Sequence, residues 1–341
     1  MQPVLKRKLK LLLTICVISS ISGVIYQFVD IDQINFGGLY LGLNLGLGFG
    51  ILELFILSRY QLQFQKLPFF WHLIIKSFLY TIIILIVAGP IFLLLELHEG
   101  GEVEEFQGNL LSPEFYSLIV YTLIMYTLLV FYMQVNKMVG EGVLIKFLWG
   151  RYYKPVKEER VFMFLDMKSS TTVAEKLGLR KYYALLNEFY HLITIPVLKN
   201  KAEIYQYVGD EVVFTWKTKT GVKDLNCIKI FFDIMDQLDQ QHARYLERYG
   251  LVPEFKAGVH FGDIITAKIG DLKRVIVYNG DVMNTTSRIQ ELCNHYQCKL
   301  IISGALLEKL KLGSLYLSTF LDTVKLRGKE SEIDLHCIWK H

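Results

Sequence analysis

Two regimes of patterning divide the chain. Up to residue 136, apolar residues run in four long stretches broken only by short polar segments. They cover residues 11–29, 38–57, about 73–95 and about 115–135, each close to the roughly 20 residues a membrane-spanning helix needs. From residue 159 onward the apolar positions come in short runs, alternating segments and amphipathic stretches separated by polar turns. The pattern predicts an all-α, four-helix transmembrane bundle over residues 1–136, a polar linker over 137–158 and a folded domain over 159–341.

Lys6, Arg7 and Lys8 before the first apolar stretch resemble the start of a signal peptide, but no small-residue cleavage site follows, so a retained span is expected. Loop charges orient the bundle. Lys6, Arg7, Lys8 and Lys10 precede the first span, Arg59 and Lys66 separate the second from the third, and Lys137, Lys146, Arg151 and Lys154 follow the fourth. The other two loops carry Asp30 and Asp32, then Glu99, Glu102, Glu104 and Glu105, with no Lys or Arg. The positive-inside rule then places both termini in the cytoplasm of a multi-pass protein of the cell membrane.

In the second span Gly38, Gly42, Gly46 and Gly50 recur every four residues and line one helix face, suited to close helix packing within the bundle or between two chains. Glu53 is an intramembrane carboxylate, either paired in the bundle or reaching the headgroups. In the linker, Val143, Leu144, Phe147 and Leu148 are spaced for one apolar helix face. Such a helix either passes motion between two paired chains or rests on lipid, assisted by Trp149, Tyr152 and Tyr153.

Composition agrees with a membrane half and a globular half. Of 341 residues, 52% are hydrophobic and 21% charged, which excludes disorder and disulfide mini-protein frameworks. With 37 Lys plus Arg against 33 Asp plus Glu, the formal charge of +4 argues against a nucleic-acid partner. The odd, scattered set Cys16, Cys227, Cys293, Cys298 and Cys337 predicts reduced thiols, and Cys293-x-His295-x-x-Cys298 fits no zinc spacing well.

Four segments of the second half carry chemistry. Residues 161–165 are a continuous apolar run ending at Asp166, read as a buried strand delivering a carboxylate near its C-terminal end. Lys168, Ser169, Ser170, Thr171 and Thr172 follow; Thr172 and Glu175 have capping-box spacing, so a helix is expected from there through Leu186 and beyond. Its N-terminal amides suit phosphate. Residues 203–214 alternate on either side of Gly209-Asp210, a hairpin with a carboxylate at its turn. Two such acids together suit Mg²⁺ or Mn²⁺, and hence a phosphate substrate. The third segment is Phe255-Lys256-Ala257-Gly258-Val259-His260-Phe261-Gly262-Asp263. The fourth runs from Gly280-Asp281-Val282-Met283-Asn284 to Arg288, and its Asn284 and Arg288 share a helix face from which an amide and a guanidinium can meet a sugar and a phosphate.

In this order the four segments resemble the catalytic domain of class III nucleotidyl cyclases, the adenylyl and guanylyl cyclase family, in a membrane-anchored, bacterial-type form. The motifs that carry the resemblance are Phe164-Leu165-Asp166, Val208-Gly209-Asp210, Gly258-Val259-His260-Phe261-Gly262, and Gly280-Asp281-Val282-Met283-Asn284 through Arg288. It implies an α+β, ferredoxin-like (palm-like) fold and a head-to-tail homodimer with active sites at the interface. Asp166 and Asp210 of one subunit would hold two Mg²⁺ or Mn²⁺ ions that activate the ribose 3′-hydroxyl for attack on the α-phosphate. Asn284 and Arg288 of the other would orient the ribose and stabilise the transition state. Ser169, Ser170, Thr171 and Arg327 or Lys329 would contact the phosphates. The product would be a 3′,5′-cyclic nucleotide plus pyrophosphate, with ATP the first-choice substrate and intracellular signalling the expected purpose.

One departure concerns the base. Where adenylyl members typically place Lys and Asp or Thr, this chain has Gln206 and Val277; guanylyl members place Glu and Cys. Gln206 can bond a base edge, whereas the Val277 side chain cannot. A cyclase of GTP or a pyrimidine nucleotide, or a catalytically silent nucleotide-binding domain, therefore stays open. Val208-Gly209-Asp210-Glu211 also resembles the hairpin of diguanylate cyclases, a reading that leaves the Gly258–Gly262 segment and the Asn284/Arg288 pair without a role.

Overall fold

A computed structural model describes residues 3–30, 36–60, 68–98, 113–140, 150, 154–272, 275–326 and 332–341. The chain forms two compact units, Met1–Glu141 and Gly142–His341. The expected linker helix around Val143–Leu148, with Trp149, Tyr152 and Tyr153, lies outside the described residues, as do the loop charges Asp32, Lys66 and Glu99–Glu105.

The first unit is helical. Helix α1 (Pro3–Asp30) begins ahead of the expected span and carries the basic cluster on its own first turns. Helix α2 (Phe36–Ile51) runs on through a π turn, Leu52–Ile56, and a 3₁₀ turn, Leu57–Tyr60. Helices α3 (Phe69–His98) and α4 (Pro113–Val139) complete it. Among the described residues, three stretches are long and apolar enough to cross a membrane: Pro3–Phe28, Gly37–Tyr60 and Phe115–Asn136. On α3 the apolar stretch among the described residues is the shorter Ile74–Val87.

The glycine stripe is used inside the chain. A Cβ on Gly42 would lie 2.2 Å from the Ser19 carbonyl oxygen, and one on Gly46 2.9 Å from Cys16 Cα, so α1 and α2 touch backbone to backbone. Hydroxyls join α1 to α4: Tyr126 donates to Ser19 Oγ at 2.7 Å, and Ser22 and Tyr121 share a 2.9 Å bond. Glu53, in the π turn, is paired rather than solvated: Lys76 Nζ lies 2.5 Å from Oε1 and the Tyr80 hydroxyl donates to Oε2 at 3.0 Å. Both charged side chains are nearly enclosed, at 7% and 14% exposure.

Among the described residues, the second unit is α+β around one eight-stranded sheet. Its strands are β1 (Val156–Met167), β2 (Glu203–Val208), β3 (Glu211–Lys217), β4 (Phe255–Ile269), β5 (Val275–Asn279), β6 (Leu300–Ser303), β7 (Tyr316–Val324) and β8 (Ile333–Lys340). The order is β2-β3-β1-β4-β6-β8-β7, with β5 paired to β4. All pairs are antiparallel except β4 with β6.

Alternation sorts the central strands. Val161, Met163, Leu165 and Met167 join Val212, Phe214, Trp216 and the helices Leu179–Leu192 and Asn226–Gln240 in the main core. Phe162 and Phe164 face the other way, onto Val213, Ile264 and Val282. On that second face lies the helix Asp281–Glu291, which buries Val282, Thr285, Thr286, Ile289 and Gln290, a spacing that makes one stripe. Gly258, opposite Phe164, permits this packing: a Cβ there would stand 2.4 Å from the Gln290 backbone nitrogen.

Two expectations are corrected. The helix after Asp166 starts at Ser170, ahead of the capping-box position, and ends at Leu177; Gly178, at φ 72°, breaks it from Leu179–Leu192. The cysteines are not all reduced: Cys298, just before β6, and Cys337, on β8, form a disulfide, while Cys16, Cys227 and Cys293 are free and buried. These two strands pair, which brings the Cα atoms to 6.0 Å despite 39 residues of separation.

Candidate active site

Asp166 is the penultimate residue of β1, on the face that carries the helix Asp281–Glu291. Asp210 sits in the two-residue turn between β2 and β3, which Gly209 closes at φ 63°. The Tyr190 hydroxyl donates to the Gly209 carbonyl oxygen at 2.5 Å and anchors that turn to the helix Leu179–Leu192.

The fold brings the two aspartates together. Burial, and then the charge of Asp210, raise the Asp166 pKa, while Lys256 and Gln290 oppose the rise. Gln290 Nε2 donates to Asp166 Oδ2 at 3.0 Å, and Lys256 Nζ is 3.5 Å from the same oxygen. Among the described residues, Asp210 Oδ2 is buried without a hydrogen-bond partner. Burial together with Asp166, Asp210 and Glu291 pushes the neighbouring Glu211 up to about 7. A buried carboxylate oxygen with no donor, facing a second carboxylate, is the environment that a hard divalent cation neutralises. Among the described residues no cluster of three or more carboxylate, imidazole or thiol groups forms.

The remaining candidates divide by position. Ser169, in a left-handed conformation at φ 56°, precedes the helix that Ser170 and Thr171 open, so this helix start directly follows the Asp166 strand. Asn284 is exposed and Arg288 half-buried on the outward side of their helix. Among the described residues neither makes a side-chain hydrogen bond or ion pair, and Asp166 and Asp210 are not among their partners. Gln206 is exposed on β2 and Val277 half-buried on β5. Arg327 and Lys329 lie outside the described residues.

Residue reasoning missed Gln290 and Lys256. Gln290 lies two positions beyond Arg288, yet only the fold shows that it turns inward. Lys256 was visible as the cross-strand partner of Asp166 once the β1–β4 register is known.

Residues 152–339 match the family described as Adenylate and Guanylate cyclase catalytic domain. The chain belongs to that family. Adenylate cyclase 2 of Rhizobium meliloti (strain 1021) is 36% identical over 215 residues, which are 63% of this chain and 59% of that protein. Adenylate cyclase 1 of the same organism is 24% identical over 188 residues, 53% of this chain and 27% of its own length. The chain thus spans less than two thirds of either relative. A bacterial light-regulated adenylyl cyclase shares the cyclase-family fold, with a TM-score of 0.57 and 18% identity over 67% of each chain.

Proposed function

We propose that this cyclase-family chain is a membrane-bound nucleotidyl cyclase that converts ATP to 3′,5′-cyclic AMP and pyrophosphate. The observation that carries the reading is the Asp166–Asp210 pair with its unpartnered buried oxygen. These two residues would hold Mg²⁺ or Mn²⁺, two ions per site, which neutralise triphosphate charge and favour the ionised 3′-hydroxyl when bound. Lys256 and Gln290 hold Asp166 in place, and Tyr190 holds the Asp210 turn. The backbone amides at Ser170 and Thr171, with the Ser169 hydroxyl beside them, receive phosphate oxygens, joined by Arg327 or Lys329. Asn284 orients the ribose, and Arg288 stabilises charge that develops at the α-phosphate.

Asn284 and Arg288 lack side-chain partners among the described residues, which supports a homodimer in which they complete the site that the other subunit's carboxylates begin. The apolar helices support a multi-pass location in the cell membrane, and the charge pattern supports a cytoplasmic side for both termini. Two relatives named adenylate cyclases support ATP as the first-choice substrate.

The test is to incubate the purified full-length protein with Mn²⁺ and, separately, ATP, GTP, CTP or UTP, and to identify products by mass. Cyclic AMP made by the wild type and lost in Asp210→Ala supports the proposal. A cyclic product from another nucleotide alone replaces the substrate, and no cyclic product from a folded dimer overturns the enzyme reading. A dinucleotide product would favour diguanylate-type chemistry.

A further inference from the structure

Arg160 is a buried cation for which the proposed chemistry has no use. Its side chain is 4% exposed on β1, on the face shared with Phe162, and it pairs with neither Asp166 nor Asp210. Instead it spans two other strands. Nη2 lies 2.5 Å from Glu203 Oε2 on β2, and Nη1 donates to the Tyr278 hydroxyl on β5 at 2.6 Å. The guanidinium also stands over the Tyr278 ring, 4.8 Å from its centre. Glu158 adds a second carboxylate at 3.7 Å.

The tie continues through a second aromatic residue. The Tyr278 ring is 4.7 Å from the Tyr205 ring, and the Tyr278 backbone N–H donates to the Tyr205 hydroxyl at 3.4 Å. Tyr205 occupies the irregularity in the β2–β3 register, between Ile204 and Gln206. The chain neighbours of this pair are therefore Gln206 and Val277, the two positions where base choice departs from the family pattern. Strand bulges re-aim the residues beside them.

Stability alone is a poor reason for such a residue. Only the Arg160 side of its ion pair is buried, Glu203 being 48% exposed, and an ion pair reaching solvent contributes little to stability. A guanidinium bonded to both a carboxylate and a phenol instead fixes how two strands stand relative to each other, because its planar fork allows little adjustment.

We propose that Arg160, acting through Tyr278 and Glu203, is a positioning residue for base selection: it holds β2 and β5 so that Gln206 and the backbone around Val277 present one fixed edge to the nucleotide base. The inference rests on the reading of Gln206 and Val277 as base-facing positions of a cyclase site, and it names the part of the chain that sets their relation.

The experiment uses the full chain in detergent or nanodiscs and the variants Arg160→Met, Arg160→Lys and Tyr278→Phe. Turnover of ATP and of GTP is measured with Mn²⁺, together with equilibrium binding of fluorescent analogues of both, which reads base preference without turnover. Arg160→Met is expected to reduce kcat/KM for the preferred nucleotide about tenfold, mainly through KM, and to bring the two nucleotides toward equal preference. The half-saturating Mn²⁺ concentration stays that of the wild type. Tyr278→Phe, which removes one acceptor and keeps the ring, shifts preference the same way by less. Arg160→Lys does not restore it, since one ammonium does not reproduce the fork.

An unchanged preference ratio in folded Arg160→Met, an equal loss of kcat on every nucleotide, or a wild type without preference in binding overturns the proposal. If Arg160→Met fails to fold, Tyr278→Phe decides on the same ratio. A wild type that binds one nucleotide preferentially but turns over none removes the cyclase reading; loss of that preference in the variants would still uphold the role of Arg160.

Discussion

Gln290 Nε2 donates to Asp166 Oδ2 at 3.0 Å, joining residues 124 apart in the chain. Lys256 approaches the same oxygen, so both donors occupy one side of the carboxylate, and under the proposed function the other oxygen would meet the cation. A hydrogen bond to a charged group is worth about 1.5–3 kcal/mol, so Gln290→Leu is expected to raise the half-saturating Mn²⁺ concentration about tenfold. The rate at saturating metal should fall far less. A metal titration of initial rates separates the two effects, and equal loss at all metal concentrations would count against this role.

Asp210 presents the opposite case, a buried oxygen with no donor among the described residues. Asp210→Asn should abolish cation-dependent turnover and yet raise the thermal midpoint measured in chelator, because it removes one of two facing carboxylates. Mn²⁺ should raise the wild-type midpoint by mass action and leave the variant unmoved. Differential scanning calorimetry with and without EDTA measures both.

Among the described residues, Asn284 and Arg288 make no side-chain bond. Asn284→Ala and Arg288→Ala are each expected to lower kcat by about 10²–10³-fold, the usual cost of a lost transition-state donor. Stability should change by less than about 0.5 kcal/mol, as for most surface positions. Mixing either variant with Asp210→Asn subunits should restore part of the activity if sites form between subunits, and a mixture as inactive as its parents would exclude that arrangement.

Within the membrane unit, Lys76→Met leaves Glu53 without its cation, and Glu53→Gln does the reverse. Either change should destabilise the bundle by about 3–5 kcal/mol, while the double variant should lose less than the sum. Unfolding of the full protein in detergent, followed by circular dichroism, gives this cycle. Additive losses would mean the two charges are not coupled.

Gly258→Ala places a methyl against the backbone of the helix that carries Asn284 and Arg288. Overpacking of this kind costs about 1–3 kcal/mol and lifts the helix from the sheet. Turnover should drop more than stability does, since Gln290 would also lose its reach to Asp166. Stability and kcat measured on the same sample test the ordering.

Local patterning made the site strands legible. The apolar run before Asp166, the alternation around Gly209-Asp210 and the one-face spacing of Asn284 and Arg288 correspond to β1, the β2–β3 hairpin and the helix Asp281–Glu291. Contacts across long sequence distances were not legible. Glu53 meets Lys76 through a helix pair, Cys298 meets Cys337 through a strand register, and Arg160 meets Tyr278 through the sheet. Each depends on which elements become neighbours, which periodicity does not encode. The early helix start at Ser170 reflects a different limit: a left-handed Ser169 ended the strand before the Thr172–Glu175 spacing could act as a cap.

The π turn at Leu52–Ile56 interrupts the four-residue repeat of α2. Gly42 and Gly46 address α1, whereas Glu53, within the turn, addresses Lys76 and Tyr80 on α3. A π turn holds one residue more than an α turn, so this span carries the equivalent of a single-residue insertion. Deleting one residue there would restore regular α geometry with the residues beyond it facing nearly as before, whereas the same length of chain wound as a regular α-helix would turn them by about 100° relative to the glycine stripe. The reading frame of this helix, as much as its composition, thus decides which neighbour receives its one buried charge.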